Sequence, residues 1–336
     1  MPAIRDPIFV GLDLGTGGVR ALAVDETGNV LASASESLLA TSSTLPAGWH
    51  EQDPRQWWAL VQRVLAQLTA DLRNQGGQKE SIIALSVDGT SGTVLGIDER
   101  GEPVTAGLMY NDARAAEEAK ELATAAAADK AFIPVAGGIA ATHAIAKVRW
   151  LQMHDAARFE QSRWFVHQAD FIAGKLTGEQ GVTDYSNALK MGYDLLRENW
   201  PAWLDGFAEI RKRLPRVVPP NTGIGTVLPQ VAAALGLPKH TQIIAGATDG
   251  TAGFLASGAR NLGDDNTTLG TTLVFKRLAA KPCVDPRGLI YCHKLPGPTG
   301  GEARWLPGAA SNTGCEWMTQ IASGGDYPKQ IGRAHV

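Results

Sequence analysis

Apolar runs that end on an acidic residue and lead into a glycine-rich turn recur along this chain. The first run covers residues 8–12 and ends on Asp13, and the turn at residues 15–18 separates it from a second apolar run at residues 19–24. Two apolar runs around a short glycine-rich turn predict a β-hairpin. A third strand is predicted over residues 30–38, so the chain should open with an antiparallel meander rather than a βαβ unit.

Helical spacing predicts most of the other regular elements. After Asp53 and Pro54, which suit the N-cap and the first position of a helix, apolar residues continue at helical spacing to about Gly76. Further elements are predicted as helices over residues 115–128, 142–154 and 200–214, and as a strand with a short helix over residues 164–176. Residues 183–193 are polar and residues 215–229 are rich in proline and glycine, so we expect loops in both segments.

Two later strands also end on a carboxylate. Residues 82–87 lead into Asp88 and a Gly/Ser/Thr loop at 89–93, and residues 242–245 lead into Asp249 at the start of a predicted helix. Taken singly, a polar hairpin and a helix N-cap account for these two positions. Taken with the first strand end, they predict a site assembled from several strand ends.

The chemistry at these strand ends suits phosphate. Glycine lets backbone N–H groups approach an anion closely, and Asp13 can hold Mg²⁺ directly or through water. No Gly-Lys-Ser/Thr follows the first turn, so it is not a Walker A loop. An ordinary glycine-rich hairpin with a solvated Asp13 accounts equally well for this stretch alone. Asp249, at a helix N-terminus where the dipole favours negative charge, can serve as a base towards a hydroxyl.

Composition narrows the kind of partner. The chain has 336 residues, of which 44% are apolar and 19% charged, a balance typical of soluble globular proteins with room for two domains. The net charge of −3, with no basic run, favours a small-molecule partner over nucleic acid. The three cysteines are widely spaced and predict neither a disulfide framework nor a zinc site. No signal peptide or membrane-spanning run is recognisable, so we expect a cytoplasmic location.

Several motifs in series resemble the FGGY carbohydrate kinases, which share the fold of actin and Hsp70. The segments that carry the resemblance are GLDLGTGGVR at 11–20, GWHEQDPRQWW at 48–58, YNDAR at 110–114 and GATDGTAGFLASG at 246–258. Three more resemble a cyanobacterial and plant branch that phosphorylates D-ribulose: SVDGTSGTVLGID at 86–98, TDYSNALKMGYD at 183–194 and the later LGTT, CHKL and GAASNTG series. The resemblance implies an α/β fold, namely the actin-like, ribonuclease H-like sugar kinase fold with two domains flanking a cleft.

The resemblance also implies roles for individual residues. Asp249 would be the catalytic base, and Asp13 and Asp249 would hold Mg²⁺, directly or through water. The substrate-binding residues would be Asp13, Asp88, Ser91 and Asp249. The phosphates of ATP would lie on two loops, formed by Gly15, Thr16 and Gly17 in the first domain and by Gly270, Thr271 and Thr272 in the second.

The implied function is ATP-dependent phosphorylation of a ketopentose, in the first place D-ribulose to D-ribulose 5-phosphate, with ATP and Mg²⁺ as cofactors. D-Xylulose or another sugar or polyol is an alternative substrate. A catalytically impaired, sugar-binding remnant is a second alternative, and a different ATPase of the same fold is a third. The expected partners are a sugar and ATP, with no nucleic acid and no membrane. The sequence does not indicate whether the protein is a monomer or an oligomer.

The resemblance covers nearly the whole chain but departs from the family at its end. Family members run well past residue 336 to a segment, often GGGxxN, that holds the adenosine of ATP. We expect residues 1–256 to form the domain with the sugar site, the first phosphate loop and the base, and residues 257–336 to begin an incomplete nucleotide-binding domain. No triple glycine occurs, and the terminal QIGRAHV matches no family segment, so the chain is expected to be truncated or misread there.

Overall fold

A computed structural model of the chain describes residues 6–38, 45–74, 81–269, 273–285, 287–297 and 301–311. Its strands, in chain order, are β1 (Ile8–Gly15), β2 (Gly18–Val24), β3 (Val30–Ser37), β4 (Glu51–Gln52), β5 (Ile82–Gly89), β6 (Val94–Ile97), β7 (Gly107–Leu108), β8 (Trp164–His167), β9 (Val182–Asp184), β10 (Arg216–Val218), β11 (Gly223–Thr226), β12 (Gln242–Thr248), β13 (Asp265–Leu269), β14 (Leu273–Arg277), β15 (Tyr291–Leu295) and β16 (Arg304–Ser311). Its helices are α1 (Pro54–Asn74), α2 (Ala116–Ala128), α3 (Ala144–His154), α4 (Ala156–Gln161), α5 (Gln168–Thr177), α6 (Tyr185–Ala188), α7 (Ala208–Arg211), α8 (Pro229–Leu235) and α9 (Asp249–Ala256).

A mixed six-stranded sheet forms the centre of the fold, in the order β11-β12-β5-β1-β2-β3. Strands β1, β2 and β3 form an antiparallel meander, which confirms the prediction from the three apolar runs. Strand β5 runs parallel to β1, and β12 runs parallel to β5. The carboxyl ends of β1, β5 and β12 therefore lie side by side at one edge of the sheet, which is where ligands bind in many α/β proteins.

Helix α1 covers β2 and β3 with the apolar face that its sequence predicts. Trp57, Val61, Leu65 and Leu68 recur at helical spacing, and all four are fully buried. Burying side chains of this size stabilises the fold by about 1.5–3 kcal/mol each. The helix begins after Asp53, whose side chain accepts a hydrogen bond from the backbone N–H two residues on at 2.9 Å, as an N-cap does.

The described residues also form two four-stranded sheets. Their strand orders are β4-β7-β6-β8 and β13-β14-β16-β15. Strands β5 and β6 therefore belong to different sheets, and the segment at 89–93 connects two sheets instead of closing a hairpin. Strand β15 packs against α6, which ties the last sheet to the middle of the chain.

The prediction of a loop at residues 183–193 is wrong. The segment contains the end of β9, helix α6 and a 3₁₀ turn at Leu189–Met191, and it is almost entirely buried. Asp184 explains the difference, because its carboxylate accepts hydrogen bonds from the backbone N–H of Ser186 at 2.7 Å and from the Asn187 side chain at 2.6 Å. Asp184 thus has partners within the segment, which lets its polar residues lie inside the protein.

Two neighbouring predictions also failed. Residues 215–229 are not a simple loop, because β10 pairs with β9 and β11 forms one edge of the central sheet. Edge strands tolerate proline and glycine, so a composition rich in these residues did not distinguish an edge strand from a loop. The helix expected over residues 200–214 is instead a 3₁₀ turn at Ala202–Phe207 followed by the short α7. Gly206 lies within that turn, and glycine is a poor residue for the interior of an α-helix.

Gly246 lies where β12 passes very close to β5. A Cβ at this position would collide with the Val87 carbonyl oxygen and would lie 2.9 Å from Ser86 Oγ. We therefore expect Gly246→Ala to push the strands apart and to lower the free energy of unfolding by about 1–3 kcal/mol, measured by urea denaturation. Gly253→Ala is the control, because a Cβ there meets nothing within 4 Å and alanine favours the helix. Equal stability of the two variants would contradict the close approach.

Two further sequence expectations concern membranes and cysteines. In the ranges that the structure describes, no helix is both long enough and apolar enough to cross a membrane. Cys283 and Cys292 are free thiols. Cys315 lies outside the described residues.

Candidate active site

Three carboxylates meet at the edge of the central sheet. Asp13 on β1 pairs in register with Asp88 on β5. On the other side of β5, Ala247 of β12 pairs with Asp88, and α9 begins two residues later with Asp249. The structure thus places the three acidic strand ends next to one another, with Asp88 in the middle.

The three carboxylates influence one another because they share a partly desolvated space. Burial, followed by the charges of Asp13 and Asp249, raises the pKa of Asp88 to about 8. Asp249 is exposed to solvent on one side, but desolvation by the surrounding protein atoms raises the pKa of its carboxyl as well. A 2.6 Å hydrogen bond from the Gly250 N–H acts in the opposite direction and lowers this pKa. A carboxylate whose pKa is shifted towards neutral pH is a better proton acceptor.

Asp88 should make the stability of the protein depend on pH. Because the folded-state pKa of its carboxyl is raised from 3.8 to about 8, the folded protein holds one more proton than the unfolded chain between these values. The free energy of unfolding should therefore fall as pH rises through this window. Asp88→Asn should remove that part of the slope, measured by urea denaturation in EDTA between about pH 5 and pH 9. Parallel profiles for the two proteins would contradict the assignment.

Two lysines that the sequence analysis did not single out face Asp249. Lys190 follows α6 and donates a hydrogen bond to the Ser91 carbonyl at 3.1 Å. Lys276 on β14 is only 3% exposed, and its Nζ lies 3.5 Å from Thr251 Oγ1. The charges of both lysines lower the pKa of Asp249, although burial outweighs them. The sequence feature that could have identified them is a lysine next to apolar residues, because lysine is almost never fully buried unless it is paired.

The turn between β1 and β2 has the open backbone that a phosphate loop needs. A Cβ on Gly17 would meet nothing within 4 Å, and a Cβ on Gly15 would lie 3.8 Å from Asp13 Oδ1. Gln52 donates a hydrogen bond to the Thr16 carbonyl at 3.0 Å, which holds the turn against β4. Gly15, Thr16 and Gly17 therefore present their backbone beside the Asp13 carboxylate, as an anion site requires.

The segment between β5 and β6 carries Ser91 on a well-supported loop. The Thr90 N–H donates to Gln168 Oε1 at 3.1 Å, and Lys147 Nζ donates to the Gly92 carbonyl at 3.0 Å. Gly92 has φ +93°, a conformation that suits glycine. These contacts hold the loop from inside the protein, and Ser91 remains half-buried next to Asp88.

The second predicted phosphate loop, Gly270, Thr271 and Thr272, lies outside the described residues. The strands on either side are antiparallel, with Leu269 of β13 paired to Leu273 of β14. The assignment of these three residues to ATP stays a prediction.

The carboxylates fit a Mg²⁺ ion that is shared with phosphate. Mg²⁺ keeps several waters and usually takes one or two protein carboxylates together with substrate phosphates. Asp13 and Asp249 offer this donor set, and Asp88 Oδ1 is buried beside them with no hydrogen-bond partner among the described residues. The same residues contain no group of three or more His, Cys, Asp or Glu arranged to enclose a metal ion.

A cavity of about 890 Å³ is lined in part by the turn between β1 and β2. Thr16, Gly17, Gln52, Trp49 and Arg114 are among the residues that line it. The three strand-end carboxylates are not part of its lining. The cavity therefore shares the loop with the candidate active site but is separate from the carboxylates.

Comparisons with known proteins identify the family of the chain. A model of the N-terminal domain of the FGGY family of carbohydrate kinases matches residues 8–256. A xylulose kinase of Streptomyces coelicolor is 31% identical over 319 residues, covering 91% of this chain and 60% of that protein. The chain thus spans less than two thirds of the length of this relative.

Solved structures show the same fold. The xylulose kinase of Rhodospirillum rubrum matches with a TM-score of 0.82 at 27% identity, covering 97% of this chain and 65% of that one. The Plasmodium falciparum glycerol kinase, solved with ADP, matches with a TM-score of 0.82 at 16% identity, covering 96% of this chain and 65% of that one. The predicted actin-like sugar kinase fold is confirmed, and the chain belongs to the FGGY family of carbohydrate kinases.

Proposed function

We propose that this chain provides the sugar site and the first phosphate loop of an ATP-dependent carbohydrate kinase that acts on a ketopentose. The observation that carries the proposal is the meeting of Asp13, Asp88 and Asp249 beside the glycine-rich turn after β1. Within this proposal, residues 1–256 form the sugar-binding domain, and residues 257–336 belong to the nucleotide-binding domain. The partners are a small sugar and ATP.

The roles of the side chains follow from what phosphoryl transfer requires. Asp249 takes the proton of the sugar hydroxyl while that oxygen bonds to the γ-phosphorus. The bond from phosphorus to the bridging oxygen breaks, and its electron pair leaves with ADP. Asp13 and Asp249 would hold Mg²⁺, which supplies charge neutralisation at the phosphates. Ser91 and Asp88 contact the sugar, and the loop at residues 15–17 receives the phosphates.

D-Ribulose is the substrate that we propose first, with transfer to its O5 hydroxyl. The support is the resemblance of residues 86–98 and 183–194 to the D-ribulose-phosphorylating branch of the family. D-Xylulose is the second candidate, because relatives of this chain carry the name xylulose kinase. These two sugars are epimers, and contacts that separate them are worth about 1–3 kcal/mol each.

A coupled assay of ADP release tests the proposal. The full-length protein is offered Mg·ATP with D-ribulose, D-xylulose, D-gluconate, glycerol or no sugar. We expect kcat/KM to be highest for D-ribulose and expect little ADP release without sugar. A preference for D-xylulose would replace the substrate but keep the reaction. ATP turnover that is the same with every sugar would contradict a carbohydrate kinase.

A further inference from the structure

Two buried lysines in the same sheet have different surroundings. Lys276 on β14 and Lys294 on β15 lie on the two neighbours of β16, and they are 3% and 7% exposed. Lys294 forms an ion pair with Glu198 at 2.6 Å and donates to the Leu195 carbonyl at 3.0 Å. Its charge is therefore matched within the protein.

Lys276 has no such partner. Within the described residues, no carboxylate oxygen lies within 4.0 Å of its Nζ, and its one hydrogen bond is the long contact to Thr251 Oγ1 at 3.5 Å. The ring of Tyr291 lies 5.9 Å away, measured from Nζ to the ring centroid. Burying an ammonium without a paired anion is costly, so a structural role alone explains this lysine poorly.

The Lys276 ammonium points at the beginning of helix α9. A Cβ built on Gly250 would lie 3.5 Å from its Nζ, so the lysine stands over the first turn of the helix. The N–H groups and dipole of that turn favour a negative charge. Lys190, whose Nζ donates to the Ser91 carbonyl, also lies near enough for its charge to lower the pKa of Asp249. Two ammonium groups from different parts of the chain therefore act on Asp249.

We propose that Lys276 binds the phosphoryl group that is transferred, and that it holds the phosphate of the sugar ester after transfer. This inference rests on the proposed function, and it adds a phosphate contact from β14 to the site formed by the strand ends. The reacting hydroxyl must be next to the base Asp249, so the phosphoryl group arrives beside that carboxylate. Lys276, a buried lysine of the sheet β13-β14-β16-β15, reaches this position. An ammonium forms strong hydrogen bonds to phosphate oxygens.

Calorimetry can separate a phosphate contact from a structural role. D-Ribulose and D-ribulose 5-phosphate, and in parallel D-xylulose and D-xylulose 5-phosphate, are titrated into the wild type, Lys276→Met and Lys276→Arg. We expect Lys276→Met to weaken binding of the phosphate ester by roughly 10- to 100-fold, as for loss of a charged hydrogen bond, and to leave binding of the free sugar nearly unchanged. Lys276→Arg keeps the charge and should retain most of the affinity for the ester.

Lys294→Met is the matched control, because it removes a buried lysine of the same sheet that is already paired with Glu198. It should lower thermal stability while the folded protein keeps both affinities. If Lys276→Met leaves ester binding unchanged, or weakens ester and free sugar equally, the inference is wrong and the proposed function stands. If the wild type binds neither sugar nor ester, the proposed function is wrong and the inference falls with it.

Discussion

Asp249→Asn is expected to lower the rate of phosphoryl transfer by about 10²–10⁴-fold, the usual contribution of a general base. Asparagine keeps the size of the side chain and an oxygen that can accept the 2.6 Å hydrogen bond from the Gly250 N–H. It cannot accept the proton of the sugar hydroxyl. The variant should therefore fold and bind the sugar, with the loss concentrated in kcat. Single-turnover measurement of sugar phosphate formation by the full-length protein gives the rate.

Asp264→Asn provides a control for the loss of one carboxylate from the same part of the chain. Asp264 is half-buried after α9, where it accepts hydrogen bonds from the backbone N–H groups of Arg260 and Asn261 at 2.8 Å. Its substitution should leave the transfer rate unchanged. If Asp249→Asn turns over at the wild-type rate, Asp249 is not the base, and another group near the sugar must take the proton.

The sequence predicted the acidic strand ends because each combines two strong local signals, an apolar run and a carboxylate before glycine. The chain itself could not show that β5 lies between β1 and β12, which makes Asp88 the central carboxylate. That order depends on pairing between strands that are far apart in sequence. The pKa of Asp88, raised to about 8, is a result of this pairing and of burial.

The lysines of the site escaped the sequence analysis for a related reason. Lys276 follows three apolar residues on β14, and the local sequence does not show whether a residue there faces water or the interior. Lys190 lies in the segment that was predicted to be a loop, where a lysine needs no explanation. The segment lies largely in the interior, where the hydrogen bonds around Asp184 hold it, and Lys190 is half-buried within it. The polar character of a segment therefore did not show whether its residues are solvated or are buried with hydrogen-bond partners inside the protein.

Arg114 is an enclosed ion-pair residue near the turn between β1 and β2, and it joins two of the sequence motifs. Its side chain is 2% exposed, with Nη2 lying 2.7 Å from Oδ2 of the fully buried Asp112. Nη1 lies 2.7 Å from Glu51 Oε1 on β4. The guanidinium also stacks on Trp49, with its Cζ 3.8 Å from the ring centroid. Asp112 accepts a further hydrogen bond from the His50 N–H at 2.7 Å, so one cluster holds residues 49–51 to the corner at 110–114.

Arg114→Met should therefore lower the free energy of unfolding by about 3–5 kcal/mol, because methionine fills much of the space but removes the ion-pair partner of the buried Asp112. Urea denaturation at neutral pH measures the loss. Arg63→Met, which removes the exposed pair between Arg63 and Glu36, should cost far less. Arg114→Met combined with Asp112→Leu removes the stranded charge and should regain part of the stability. If the double variant is no more stable than Arg114→Met, the loss comes from the packing between Trp49 and Trp150 and not from the unpaired carboxylate.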